Sequence, residues 1–167
     1  ANIGLACAMS GILALDGDPS RYDEQSRALI DSLLEEHPTA MQVTPTEGNH
    51  FVYMLPEDAT LSNSPGALPS GIDVRANGYI LLSPSVVTYR GKEAEDKGVE
   101  DGFTGRYRWQ PSPLEMPPQP LPDRVLTMLK AKQERPISVL PTVIVHTNGV
   151  NGNSYHHDAE KDTRYAQ

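Results

Sequence analysis

An apolar run that ends in two aspartates one residue apart constrains this chain more than any other feature. The run is Gly11-Ile-Leu-Ala-Leu-Asp16-Gly-Asp18-Pro19, and it predicts a buried strand that brings two carboxylates to the rim of a sheet. Side chains two residues apart on a strand point to the same face, so Asp16 and Asp18 can bind one cation or two adjacent cations. Because carboxylates this close repel each other unless a cation lies between them, the pair indicates a metal site.

The same residues are also typical of a tight turn. An aspartate side chain accepts hydrogen bonds from the backbone just after it, glycine tolerates positive φ, and Pro19 ends a strand. Because short motifs often match by chance, the turn and the metal site both stay open on these residues alone.

The composition indicates one globular domain with no membrane partner. The chain has 167 residues, of which 38% are hydrophobic and 22% charged, enough to bury a core. No apolar run is long enough to span a membrane. The single cysteine, Cys7, excludes an intramolecular disulfide framework and a cysteine-based zinc cluster, so we expect a reduced, cytoplasmic location.

The formal net charge of −8 argues against wrapping a large nucleic-acid surface by bulk electrostatics. Contact with nucleic acid would need a local basic path, and its candidates cluster in the middle of the chain. They are Arg75, Arg90, Lys92, Arg106 and Arg108.

A helix and then a hairpin are predicted after the acidic turn. Ser20 is the expected N-cap of a helix that ends near His37. Residues 41–43 and 50–55 then read as the two strands of a hairpin. A lone histidine at a strand start, such as His50, is more often structural than a ligand, so its role is open at this point.

Residues 71–85 read as two strands around an Asn77-Gly78 turn. Asp73 and Arg75 lie on the opposite face from their apolar neighbours. An aspartate that is buried without a partner is costly, so we expect Asp73 to meet either Arg75 or a cation.

The remaining segments give coarser predictions. Charged, glycine-containing residues 90–105 predict a flexible excursion. The later elements are a strand over 106–109, an extended proline-dense segment over 111–122, a helix from Pro122 or Asp123 to about Lys132, a strand or docking segment over 142–145, and an exposed His156-His157 pair.

Three motifs in order carry a family resemblance. The first is the apolar strand ending in Asp16-Gly-Asp18, the second is Thr44-Pro-Thr-Glu-Gly-Asn-His50-Phe-Val-Tyr53, and the third runs from Gly71-Ile-Asp73-Val-Arg75 to Ser83-Pro-Ser85. They resemble the Asp-x-Asp strand, the Thr-Pro-Ser-Gly-Gly-x-His-x-Tyr hairpin and the Gly-Val-Asp-Ile-Arg to Pro-Pro-Ser segment of the bifunctional primase-polymerase (Prim-Pol) family. This family belongs to the archaeo-eukaryotic primase superfamily and occurs in replication proteins of phages and plasmids.

The resemblance implies an α+β fold, with a mostly antiparallel sheet and flanking helices on one side, as in RNA-recognition-motif domains. It assigns residues 1–125 to the catalytic core and 126–167 to a C-terminal helix and a turn-rich tail. We expect the chain to lack the family's N-terminal segment. Departures from the family pattern are Glu47 in place of glycine, Ser83 in place of proline, and a long insertion between Ser85 and Tyr107.

The resemblance also implies a chemistry, that of a DNA primase and DNA polymerase. Asp16, Asp18 and Asp73 would be the catalytic carboxylates that hold two Mg²⁺ or Mn²⁺ ions, and His50 would contact the triphosphate of the incoming nucleotide. The spacing of Arg75 from Asp73 suggests that Arg75 also contacts substrate phosphate. The implied partners are a single-stranded DNA template and primer, nucleoside triphosphates, and a helicase domain in the same or a partner polypeptide. A phage-encoded protein would act in the host cell cytoplasm.

Three alternatives remain beside this reading. A metal-dependent nucleotide-sugar glycosyltransferase would explain Asp16 and Asp18, but not the His50 hairpin or residues 71–85. A haloacid-dehalogenase-type phosphatase begins with a similar strand, but here Pro19-Ser20 follows it and no later apolar strand ends in paired acids. A catalytically inert nucleic-acid-binding module would keep the fold without turnover.

Overall fold

The structure is a computed structural model that describes residues 1–57, 59, 61, 63 and 66–133. Its strands are β1 (Ile3–Ala6), β2 (Ile12–Gly17), β3 (Met41–Val43), β4 (Asn49–Met54), β5 (Ile72–Arg75), β6 (Tyr79–Leu82), β7 (Val86–Thr88), β8 (Thr104–Arg106), β9 (Arg108–Trp109) and β10 (Gln119–Pro120). Its helices are α1 (Glu24–Glu36), α2 (Lys92–Lys97) and α3 (Asp123–Gln133). The predicted strand over 142–145 and the His156-His157 pair lie outside the described residues.

The main sheet is built around β2. Its strand order is β5-β2-β4-β3-β9, with each neighbouring pair antiparallel, and β10 adds a short parallel pairing to β4. Strand β2 occupies an interior position because its apolar side chains are buried on both faces, with Leu13, Ala14 and Leu15 all fully buried. The predicted α+β fold with a mostly antiparallel sheet is confirmed.

One face of the main sheet is covered by the two longer helices. Leu13 and Leu15 of β2 point to this face and belong to the larger core cluster. Helix α1 packs there because its apolar residues recur at helical spacing, and α3 does the same. The helix residues buried in this cluster are Leu29, Ile30, Leu33, Val125 and Leu129.

The other face carries a smaller apolar cluster and then becomes polar. Ala14 of β2 and Val52 of β4 pack there against Cys7 and Ile80, beside the separate antiparallel pair formed by β1 and β6. Two residues further along β2, the side chain on this face is Asp16. The change from apolar to polar along one face places the charged residues at one end of the sheet.

Helix α1 begins later than predicted, and the expected cap at Ser20 is wrong. Asp23 is the N-cap, and its Oδ1 accepts a hydrogen bond of 2.8 Å from the Ser26 backbone N–H. Residues Pro19–Arg21 form a separate 3₁₀ turn capped by Asp18. Because Pro19 favours the first position of a helical turn, the chain makes this short turn before the longer helix starts.

Strands β5 and β6 lie on either side of the Asn77-Gly78 turn, as predicted, but each pairs with a different strand. Strand β5 pairs with β2, whereas β6 pairs with β1 in the register Ala6↔Tyr79. Gly78 has a φ of 91°, and its carbonyl accepts a hydrogen bond from the Cys7 N–H. After the turn, β6 pairs with β1, and this pairing buries Ile80 beside Cys7.

Residues 90–105, which were expected to form a flexible excursion, contain helix α2 and the start of β8. Strands β7 and β8 pair in the register Val86↔Arg106, and α2 forms part of the chain that connects them. The single strand predicted over 106–109 is wrong, since β8 ends at Arg106 and β9 begins at Arg108. Tyr107 separates them, and its N–H donates to the Ser85 carbonyl. In the described part of the chain, no helix is both long and apolar enough to cross a membrane.

Candidate active site

Five side chains form a row across the polar end of the sheet, one from each of the five strands in order. Asp16 lies opposite Asp73 on one side and opposite His50 on the other. Gln42 lies opposite both His50 and Trp109. Residues directly opposite each other in an antiparallel pair share a face, so the row of Asp73, Asp16, His50, Gln42 and Trp109 is contiguous. We call this set the transverse row.

Asp16 is the centre of the charge arrangement. Its Oδ2 accepts hydrogen bonds from Arg75 Nε at 3.2 Å and Nη2 at 3.0 Å, and His50 Nε2 lies 3.4 Å from its Oδ1. Burial raises the pKa of the Asp16 carboxyl, but the hydrogen bonds and charges of His50 and Arg75 outweigh it and lower the pKa to about 2. Asp16 is therefore ionised at neutral pH.

Arg75 pairs with Asp16. Of the two partners expected for Asp73, Arg75 or a cation, Arg75 is therefore engaged elsewhere. Arg75 lies opposite Ala14 on β2, and a long side chain there can reach the diagonal neighbour two residues along the facing strand. That neighbour is Asp16. The spacing of Asp73 and Arg75 on β5 thus places the two side chains on one face, but the adjacent strand determines which carboxylate the guanidinium binds.

Asp18 follows β2 and behaves as a turn residue. Its Oδ1 accepts hydrogen bonds from the Ser20 N–H at 3.1 Å and the Ser20 hydroxyl at 2.6 Å. Its own N–H donates to the Gly71 carbonyl at 2.8 Å, which holds the end of β2 against the start of β5. The turn interpretation therefore describes Asp18, whereas Asp16 is still part of the strand.

The three predicted metal ligands have the oxygen chemistry that Mg²⁺ and Mn²⁺ prefer, but their side chains are not arranged around a common ion position. Carboxylate oxygens suit these hard cations, Asp16 and Asp73 are cross-strand neighbours, and Asp18 lies two residues beyond Asp16. Within the described ranges, however, no group of three or more His, Cys, Asp or Glu side chains is positioned to hold a metal. Arg75 and Ser20 engage two of the three carboxylates.

Gln42 is a site residue that motif reasoning did not identify. It is fully buried, and its Nε2 lies 3.0 Å from Nδ1 of His50, which is itself buried. The Tyr107 ring stands beside His50, with 5.8 Å between ring centroids and 43° between ring planes. The signal for Gln42 was available in the sequence, because a glutamine at the centre of a short apolar strand must find buried partners.

A cleft of about 890 Å³ opens above the polar end of the sheet. Asp16, Asp18, His50 and Arg75 line this cleft. Residues of the insertion also line the cleft, and sequence reasoning left them without a role. These residues include Val87, Tyr89, Glu93 and Lys97, and Tyr107, which follows the insertion, lines the cleft as well.

The loop that joins β3 to β4 also borders the cleft. Glu47 adopts a φ of 61°, and its Oε1 accepts a hydrogen bond of 3.0 Å from Arg108 Nη2. A Cβ at Gly48 would lie 2.8 Å from the Gly17 carbonyl oxygen, so the loop packs tightly against the end of β2. Glycine is required at position 48 by this close approach, and Glu47 occupies a left-handed conformation that glycine normally favours.

Two of the five residues in the predicted basic path form ion pairs with carboxylates in this structure. Arg75 binds Asp16, and Arg108 binds Glu47. Arg90, Lys92 and Arg106 are exposed. The three predicted basic residues that remain exposed and outside these two ion pairs therefore all lie in the insertion.

Comparison with known protein families identifies one family whose model matches most of the chain. Residues 1–124 match the family model Prim-Pol, described as bifunctional DNA primase/polymerase, N-terminal. The match covers the entire transverse row and more than half of the chain, and the chain belongs to the Prim-Pol family. The family resemblance inferred from the three motifs is confirmed, and with it a function of the DNA primase/polymerase type. A search of curated proteins finds no match.

Proposed function

We propose that this chain is the nucleotidyl-transfer core of a phage or plasmid replication protein. It would add nucleotides to a primer on a single-stranded DNA template, and Asp16, Asp18 and Asp73 would hold two Mg²⁺ or Mn²⁺ ions. The main support for the proposal is the register of β5, β2 and β4, which brings Asp73, Asp16 and His50 side by side. Asp16 and His50 of this trio line the cleft. Three sequence motifs that are far apart in the chain meet in this row.

The three carboxylates have the charge and the oxygen ligands that a two-metal nucleotidyl-transfer site requires. Bound divalent ions would activate the primer 3′-hydroxyl and neutralise the departing pyrophosphate. The low pKa of Asp16, about 2, keeps its carboxylate charged at neutral pH. Asp73 contributes a second carboxylate on the neighbouring strand, and Asp18 can join when its side chain leaves Ser20.

His50 and Arg75 suit the binding of the nucleotide phosphates. His50 Nε2 and the Arg75 guanidinium lie on either side of the Asp16 carboxylate, and both are hydrogen-bond donors that match phosphate oxygens. The cleft volume of about 890 Å³ is within the range of small-molecule sites, roughly 300–1,000 Å³. A nucleoside triphosphate is the substrate class that this combination favours.

One observation supports a second candidate, an inert nucleic-acid-binding module. Arg75 and the Ser20 hydroxyl engage Asp16 and Asp18, so the carboxylates are satisfied without any divalent ion. Such a module would bind DNA but would not incorporate nucleotides. The glycosyltransferase alternative leaves the His50 position unexplained, and the family match does not support it.

Primer extension on a single-stranded template tests the proposal. The chain is compared with Asp16→Asn/Asp18→Asn in the presence of Mg²⁺, Mn²⁺ or a chelator. Asp31→Asn/Glu35→Gln, on exposed positions of α1, is the matched control because it makes the same charge change away from the cleft. We expect metal-dependent incorporation by the chain and the control, and none by the site variant.

The other outcomes separate the alternatives. Incorporation that survives in Asp16→Asn/Asp18→Asn would rule out this site. DNA binding without incorporation in either metal would favour the inert module. Binding of a UDP-sugar in preference to nucleoside triphosphates would favour the glycosyltransferase.

A further inference from the structure

Gln42 connects the end of β6 to His50 through a buried polar network. Its side chain is fully buried, and three groups surround its amide: the Leu81 carbonyl, the Ser83 N–H and the His50 imidazole. A buried amide with all of its partners in place fixes side-chain orientation, because breaking any one contact leaves a polar atom unsatisfied.

The backbone determines which way the Gln42 amide points. Oε1 accepts a hydrogen bond of 2.9 Å from the Ser83 N–H, and Nε2 donates one of 2.6 Å to the Leu81 carbonyl. A backbone N–H can only donate and a backbone carbonyl can only accept. Exchanging the oxygen and nitrogen of this amide would therefore place two donors together and two acceptors together.

This orientation in turn determines the proton position on His50. The second Nε2–H of Gln42 faces His50 Nδ1 at 3.0 Å, so Nδ1 has to accept the hydrogen bond. The proton of the neutral ring then lies on Nε2, the nitrogen on the Asp16 side of the ring. The His50 N–H is consequently directed toward the Asp16 carboxylate, which lines the cleft.

We propose that Gln42 is a positioning residue that holds His50 in the Nε2–H tautomer, so that His50 meets substrate phosphate as a hydrogen-bond donor. The phosphate contact rests on the proposed function, whereas the tautomer is a property of the protein alone. Gln42 also links two family motifs, since it joins His50 of the second motif to Ser83 of the third.

The first test is ¹⁵N NMR of the histidine rings, without nucleotide or metal. The spectrum of the full chain is recorded near pH 8, where an ordinary imidazole is neutral. The His50 resonances are assigned by their loss in His50→Gln. We expect one unprotonated Nδ1 and one protonated Nε2, with no averaging between tautomers. A protonated Nδ1 in the unmodified chain would overturn the proposal without any need for a Gln42 variant.

The second test replaces the amide. Gln42→Met keeps the length and most of the volume of the side chain but removes the donor to Nδ1, so the two ¹⁵N shifts of His50 should move toward each other as the tautomers mix. Ser85→Ala is the matched control. Ser85 is also buried and its hydroxyl accepts a hydrogen bond from the Ile3 N–H at 2.8 Å, so this variant removes a nearby buried hydrogen bond and should leave the His50 shifts unchanged.

If the chain incorporates nucleotides, steady-state kinetics provide a third test. Gln42→Met should raise the nucleotide KM roughly tenfold, as expected for loss of a residue that orients a ligand-binding side chain, with a smaller effect on kcat. Ser85→Ala should leave KM unchanged. An unaltered His50 spectrum in Gln42→Met, or equal KM changes in both variants, would show that Gln42 is only structural. A chain that lacks incorporation would refute the proposed function, and the NMR result would still decide the role of Gln42.

Discussion

Asp16 of β2 lies directly opposite His50 of β4, and 3.4 Å separates Asp16 Oδ1 from His50 Nε2. The same aspartate faces Asp73 across its other strand edge and binds Arg75 through Oδ2. Asp16 is therefore the residue through which the three sequence motifs contact one another.

Asp73→Asn should reduce kcat for nucleotide incorporation by roughly 10²- to 10³-fold, the usual effect of removing one group that stabilises transition-state charge. The fold should survive, because Asp73 is only half-buried and Arg75 pairs with Asp16. Asp31→Asn on the exposed surface of α1 is the control. Primer extension at saturating nucleotide measures the effect, and full activity of Asp73→Asn would remove this residue from the catalytic set.

His50→Ala should raise the nucleotide KM by about 10- to 100-fold, because a hydrogen bond to a charged phosphate is lost. The change in kcat should be smaller. His37→Ala, which alters an exposed histidine at the end of α1, should change neither constant. Steady-state kinetics with varied nucleotide separates the two constants, and an unchanged KM in His50→Ala would place the imidazole outside the substrate site.

The ion pair of Asp16 should make stability depend on pH in the acid range. Its pKa is lowered from 3.8 to about 2 in the folded chain. The resulting stabilisation is fully present above about pH 4 and is lost as the pH falls toward 2, a total of about 2 kcal/mol. Urea unfolding of the chain and of Asp16→Asn at pH 5, 4, 3 and 2 should show the difference in free energy of unfolding shrinking across this window. A constant difference would contradict the lowered pKa.

Gly17→Ala should destabilise the chain, and Tyr22→Phe should partly rescue it. A Cβ at Gly17 would collide with the Tyr22 hydroxyl oxygen, and the next nearest atom, Tyr22 Cζ, would lie 3.2 Å away. Overpacking of this kind typically costs about 1–3 kcal/mol. Within the described part of the chain, the buried Tyr22 hydroxyl has no hydrogen-bond partner, so Tyr22→Phe alone should cost little. A double-mutant cycle from urea unfolding measures the coupling, and additive effects would refute the clash.

Glu47→Gly should leave the chain more stable than Glu47→Ala by about 1 kcal/mol, because the left-handed conformation costs a residue with a Cβ roughly that amount. Both variants lose the exposed ion pair with Arg108, so the comparison isolates the φ of 61°. Arg108→Ala removes the ion pair alone and should cost less than about 1 kcal/mol. Thermal unfolding of all three checks the order, and equal stabilities of the glycine and alanine variants would show that position 47 carries no strain.

Local patterns in the sequence predicted the elements that form the site. The apolar run before Asp16, the alternation around His50 and the spacing of Asp73 and Arg75 each depend on the period of a strand, which can be read without knowing the neighbours. The helix boundary was less accurate, because Pro19 and Asp18 form a separate turn before Asp23 caps α1.

The contacts between these elements were decided by the tertiary structure. The choice of Asp16 as the partner of Arg75, the network of Gln42 and the pairing of β6 with β1 all depend on which strands lie side by side and in which register. The same holds for the part of the insertion that lines the cleft together with His50. The sequence by itself determined which strands carry the carboxylates and the histidine, because side-chain alternation is a local property. Only the tertiary structure decided what each side chain binds, because register between distant strands is set by how the whole chain buries its apolar residues.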